Sequence, residues 1–111
     1  MSTHAEKIAK TESLFRNVNE SIAETSSGVF HSDEAHFLCE CGDPECTKRI
    51  EVPCAEYEQV REDATHFVVA PGHVAKPLEK VVRHHQGYSV IEKIDRAMAR
   101  IARLLDPRGP S

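Results

Sequence analysis

The chain has 111 residues, of which 40% are hydrophobic, 29% charged and 5% aromatic, with no Trp. This allows one small core built on Val, Ile, Leu, Ala and Phe, and excludes a large barrel or a two-domain enzyme. The net charge of −4 at pH 7 argues against general binding to phosphate backbones but leaves room for a local basic face.

The acidity is concentrated in residues 31–66, which carry ten acids against three bases, whereas residues 67–89 and 90–111 are each mildly basic. Such asymmetry can orient a partner or pair two subunits. The longest clean apolar run, Phe67 to Ala70, is far short of the roughly 20 residues that span a bilayer. The N-terminal stretch has no apolar leader segment, so the expectation is a cytoplasmic chain whose cysteines serve metal or thiol chemistry before disulfides.

The first predicted element is a helix from about Ala5 to Thr25. Ile8, Phe15, Val18 and Ile22 recur at helical spacing and predict its buried stripe. Thr3 with Glu6 reads as a capping box, and Ser26-Ser27-Gly28 as its end. Val29-Phe30 and Phe37-Leu38 are the apolar pieces of a strand-and-turn segment. Lys48 to Val52 alternates, with Ile50 and Val52 on one face. Pro53 begins a predicted helix of about ten residues with Tyr57 and Val60 inward. Thr65 to Ala70 is the strongest strand signal, followed by a turn at Pro71-Gly72-His73. Pro77 to Val82 reads as a short helix with Leu78, Val81 and Val82 inward. Gln86-Gly87 is a turn and Tyr88 to Ile91 a strand. The last helix runs roughly from Glu92 to Leu105. Ile91, Ile94, Met98, Ile101 and Leu105 give it an apolar stripe at spacings of three and four, and Pro107, Gly109 and Pro110 a frayed tail.

The sharpest motif is Cys39-x-Cys41-x4-Cys46, in which Gly42-Asp43-Pro44 marks a turn. Thiolates are soft donors suited to zinc, and close spacing lowers the entropy of assembling a site. A tetrahedral zinc needs one donor more. His73, in a rigid turn at the end of a strand, is the first choice; His36 is second and Cys54 third, with His66, His84 and His85 behind them. An iron–sulphur cluster, a redox pair and unligated thiols are the competing readings. The acidic neighbours Glu40, Asp43 and Glu45 disfavour a reactive thiolate in the absence of a cation.

Enzyme signals are sparse. Cys39, Cys41 and His73 could hold a catalytic zinc with Glu40 as base, but the signature of zinc deaminases is absent. No P-loop, GxGxxG, HExxH or GxSxG motif occurs. No catalytic residue is assigned and no small-molecule substrate is indicated. Lys93, Arg96, Arg100 and Arg103 form a basic stripe along the last helix that could meet nucleic acid or an acidic protein surface. Exposed aromatics for base stacking are missing, so a protein partner or a homodimer is the preferred expectation.

The stretch FLCECGDPECTKRIEVPCAEYEQVREDATHFVVAPGH carries F-x-C-E-C-x4-C at Phe37 to Cys46, E-Y-x-x-V-R at Glu56 to Arg61 and F-V-V-x-P-G-H at Phe67 to His73. With G-Y-x-V-x-E-K at Gly87 to Lys93, in which one position is shifted, these elements resemble a group of small uncharacterised bacterial proteins, frequent in actinobacteria. The resemblance covers residues 37 to 93 and implies Cys39, Cys41, Cys46 and His73 as the natural ligand set; it brings no activity with it. Such relatives often read Leu-Thr where this chain has Pro53-Cys54, which separates Cys54 from that set.

The expected architecture is α+β: a small antiparallel sheet with a metal-binding knuckle, flanked by N- and C-terminal amphipathic helices. Its expected parts are an N-terminal helix over 1–28, a metal-binding core over 29–91, and a C-terminal helix and tail over 92–111. The expected function is a non-enzymatic zinc-binding protein acting as an interaction or regulatory module. A metal-dependent hydrolase, a cysteine-based redox protein and a nucleic-acid-binding regulator are the alternatives.

Overall fold

Alternating apolar residues become two antiparallel sheets in the computed structural model, which describes residues 4–27, 34–75 and 78–108. The elements are α1 (His4–Ser27), β1 (Glu34–Leu38), β2 (Arg49–Pro53), α2 (Cys54–Val60), β3 (His66–Val69), β4 (Glu79–His85), β5 (Tyr88–Lys93) and α3 (Arg96–Leu104). The α+β class is as expected. In the first sheet β1 pairs with β2, setting Ala35 opposite Val52 and Phe37 opposite Ile50, all four buried. The second sheet has the order β3-β5-β4, so β5 is its central strand and buries Tyr88 to Ile91. β1 and β2 thus bury one alternating apolar set, whereas β3 and β5 are buried on consecutive residues, and both sheets contribute to a common core with Tyr57 and Val60 of α2. Phe37 and Tyr57 stack within it at 4.3 Å. Each such large side chain contributes roughly 1.5–3 kcal/mol by leaving water.

Several expectations are corrected. The segment after Pro77 is not a helix. Glu79 to His85 forms β4, paired with β5 through the two-residue turn Gln86-Gly87, where Gly87 adopts φ 90°. The β-branched pair Val81-Val82 and the adjoining hairpin turn outweigh the weak helical spacing of Leu78, Val81 and Val82. The last helix begins at Arg96 rather than Glu92, because Asp95 caps it by accepting from the Met98 N–H at 3.0 Å and β5 continues to Lys93. The five-position stripe is thereby broken. Ile91 belongs to a strand, Ile94 and Leu105 are 48% and 44% exposed, and the face α3 buries is Met98, Ala99 and Ala102. In α2, the helix covers only Cys54–Val60, with Pro53 as its cap.

A further correction concerns α1. Ile8 is buried, but Phe15 and Ile22 are only half-buried and Val18 is 43% exposed. The face turned inward is largely polar: Glu12, Ser13, Arg16 and Asn19 lie between the small residues Ala9 and Ala23. Of these, Glu12, Arg16 and Asn19 hydrogen-bond to backbone or to charges elsewhere in the chain. Arg16 donates to the carbonyls of Ala64 at 2.6 Å and Ala102 at 2.7 Å and lies over the Phe67 ring. Arg61 pairs with Glu20 of α1 and with Asp106, closing the C-terminal end onto the first helix. Thr3, Gly28, Val29, Phe30, Pro77, Gly109 and Pro110, on which other sequence readings fall, lie outside the described residues.

Lys93 also departs from its expected place. It is not part of a solvent-facing stripe but is buried, and its ammonium group pairs with both Glu12 and Glu79. Burial raises the Glu12 carboxyl from 4.5 to about 7, against the opposing pull of Lys93. Between those values the folded chain keeps a proton that the unfolded chain releases. Glu12 therefore lowers stability as pH rises from about 4.5 to about 7, with no further effect above that window. The melting temperature of the native protein is expected to fall relative to Glu12→Gln across this interval. A difference between the two proteins that stays constant with pH would contradict the assignment, and taking the difference removes thiol protonation common to both.

Candidate metal centre

Two chain reversals bring the motif cysteines and His73 together. Cys39 follows β1 directly, and the loop is closed at its base by the Cys39 N–H donating to the Lys48 carbonyl at 3.0 Å. Asp43 shapes the tip: its carboxylate accepts from the Glu45 N–H at 2.9 Å and its carbonyl from the Cys46 N–H at 3.1 Å. Gly42 is required by a close approach, since a Cβ there would lie 2.2 Å from Cγ2 of Ile8 on α1. His73 follows β3 through the expected turn. Gly72 takes φ 85°, and the His73 N–H donates to the Ala70 carbonyl at 3.0 Å.

The donor atoms of Cys39, Cys41, Cys46 and His73 all lie within 4.8 Å of one another. Nδ1 of His73 is 3.5 Å from the Cys39 sulphur and 3.7 Å from the Cys46 sulphur. A tetrahedron built on ordinary zinc–sulphur and zinc–nitrogen bonds has sulphur–nitrogen edges of about 3.6 Å. The residues present thus fit a four-coordinate metal ion. Cys39 and Cys41 are buried, while Cys46 and His73 are half-buried at the rim.

Backbone groups prepare the sulphurs for negative charge. The Ala70 N–H points to the Cys39 sulphur at 3.1 Å, the Cys41 N–H also turns to Cys39, and the Asp43 N–H turns to Cys41. Burial nonetheless pushes both thiols up, so a cation is needed to hold them as thiolates near neutral pH.

The other candidates lie elsewhere. His36 is exposed on β1 and faces Glu51 across the strand pair at 3.4 Å. Cys54 opens α2 and packs against the core. His84 is exposed, and His85 stacks on Tyr88 at 4.6 Å. His66 meets Glu92 at 2.9 Å and Asp63 at 3.5 Å. That second group of donors is explained by ion pairing across the β3–β5 register.

Glu40 is the residue whose role the sequence reading missed. It is not a solvent-facing loop acid or a base beside the metal ligands; it is fully buried. Its carboxylate accepts from the Val68 N–H at 3.0 Å, Asn19 Nδ2 at 2.8 Å and the Tyr57 hydroxyl at 3.4 Å. Its own N–H donates to the Val68 carbonyl at 2.8 Å, so the residue between the first two cysteines is stitched to β3. Asn19 completes the arrangement by accepting from the Leu38 N–H and donating to the Leu38 carbonyl. Burial raises the Glu40 pKa, opposed by these donors. The alternation of Glu40 with Cys39 and Cys41 was the available signal: if both cysteines face a metal, the residue between them points away from it. Among the described residues no helix is long and apolar enough to cross a membrane. Comparisons with protein-family models, curated proteins and solved structures find no match to this chain.

Proposed function

We propose that this chain is a zinc-stabilised, non-enzymatic protein whose Cys39, Cys41, Cys46 and His73 form a closed structural shell, and that it serves as a protein-interaction or regulatory module. The supporting observation is the convergence of four soft and borderline donors within 4.8 Å, two of their separations matching tetrahedral edges. Three thiolates and one imidazole favour zinc over harder divalent ions such as magnesium or calcium. With all coordination positions taken by protein, no place is left for an activated water, and Glu40 is turned into the core away from any base role. The small core of a chain this size gains folding free energy from such a centre. Protein purified without added metal is expected to contain a single zinc ion per chain by elemental analysis. Replacement by cobalt should give the absorption of a tetrahedral thiolate site. Metal-free folded protein with freely reactive cysteines would overturn the proposal, and iron with a visible charge-transfer spectrum would replace zinc by a cluster.

A further inference from the structure

The arginines of this chain differ in their surroundings, and of the exposed ones Arg49 and Arg83 stand apart on β2 and β4. Arg16 and Arg61 are buried with protein acceptors, and Arg108 pairs with Glu20 and Glu58. Arg96, Arg100 and Arg103 are exposed, and none of them meets a carboxylate within ion-pair distance among the described residues. All three line one concavity of about 630 Å³ at the junction of β5 and α3, together with Ile94, Ala99, Lys93, which is held by Glu12 and Glu79, and Glu92, whose carboxylate is engaged by His66 and Lys80. Ile94 is 48% exposed there. A local excess of guanidinium groups thus surrounds an exposed aliphatic side chain in a protein whose net charge is −4.

The composition of this surface selects among anionic partners. Guanidinium groups bind carboxylates and phosphates bidentately, and arginines beside apolar side chains are typical of protein interfaces. No aromatic residue lines the concavity to stack a base, and the acidic balance of the whole chain repels a long polyanion. Arg96 to Arg103 spans about 10 Å of helix axis at 1.5 Å per residue. An extended peptide covers that distance in about three residues and presents alternate side chains to one face.

We propose that Arg96, Arg100, Arg103 and Ile94 form a docking surface for a short acidic peptide segment of a partner protein. Its carboxylates would lie on the guanidinium groups and an aliphatic side chain on Ile94 and Ala99. The inference rests on the reading of the chain as an interaction module and names the chemistry of its partner.

The test is selection of a random short-peptide library on the metal-loaded full chain. Enriched peptides are expected to alternate acidic with aliphatic residues and to weaken steeply as salt is raised. Binding of such a peptide should drop about tenfold or more in Arg96→Gln/Arg100→Gln/Arg103→Gln, which alters only exposed side chains. Circular dichroism and metal content should stay unchanged. Should the triple variant fold poorly, Arg100→Gln alone is expected to lose several-fold in affinity. Enrichment without acidic residues, or equal binding to the variants, overturns the proposal. Tighter binding of duplex DNA or single-stranded RNA through the same arginines overturns it in favour of a phosphate backbone. Metal content is read separately: peptide binding by a protein devoid of metal would sink the zinc reading and leave the docking surface standing.

Discussion

Cys39→Ser is expected to abolish metal retention and leave the chain largely unfolded. Cys39 is 1% exposed and receives the Ala70 N–H, so its sulphur joins the motif loop to the end of β3 as well as being one of the four atoms that could hold a metal. Structural zinc contributes apparent free energies of roughly 10–16 kcal/mol near pH 7, whereas whole domains are stable by only about 5–15 kcal/mol. Losing the metal therefore exceeds what a core of this size can offset. Chelation of the native protein should have the same effect without a substitution, and acid should mimic it by protonating the thiolates. Hydrogen exchange is expected to accelerate first over residues 39–54 and then along β3, because the Glu40 N–H to Val68 carbonyl bond ties the two segments. Chelated protein shown to be metal-free, with unchanged exchange in β3, would contradict this account. The converse outcome for His73→Ala is milder. Three thiols remain, so metal affinity should drop while the cysteine loop still captures zinc.

The sequence discloses what depends on short-range pattern and conceals what depends on pairing at a distance. Ile50 and Val52, the run Phe67 to Val69, the Gln86-Gly87 turn and the CxCx4C loop are local signals, and each takes the form expected from it. The preference for His73 over His36 also rests on a local feature, the rigid turn after β3; among the described residues His73, not His36, joins the cysteines. The polar inner face of α1 could not be read this way. Hydrophobic periodicity assigns Glu12, Arg16 and Asn19 to solvent. What buries them are Lys93, the Ala64 and Ala102 carbonyls and the Leu38 backbone, all distant in sequence. For the same reason Lys93, three residues before Arg96, falls on a helical stripe by spacing, whereas the chain there is a strand. Apolar spacing likewise favours Val18 over the small residues Ala9 and Ala23, although close packing of a long helix against α3 and the sheet core rewards the latter.

Glu40→Gln is expected to cost roughly 2–4 kcal/mol of folding stability and to weaken metal binding about 10- to 100-fold, although Glu40 does not coordinate the metal. The carboxylate accepts from three donors, on α1, α2 and β3. Glutamine retains one acceptor oxygen, enough for the Val68 N–H, but turns an amide N–H₂ toward Asn19 Nδ2, a donor facing a donor. Relief by rotating Asn19 would break its paired bonds to Leu38, the residue that precedes Cys39. Either way the backbone carrying Cys39 and Cys41 loses its support from behind, and the metal must order it. Glu45→Gln, one residue before Cys46 and exposed, is the control and should change stability by no more than about 0.5 kcal/mol. Thermal melting of the metal-loaded proteins and competition with a zinc chelator report the two quantities separately. A double-mutant cycle with Asn19→Ala should show a coupling of about 0.5–3 kcal/mol, because the two side chains share a hydrogen bond at 2.8 Å. If Glu40→Gln behaves like Glu45→Gln in both measurements, the buried carboxylate does not position the cysteine loop, and the loop must be held by the metal alone.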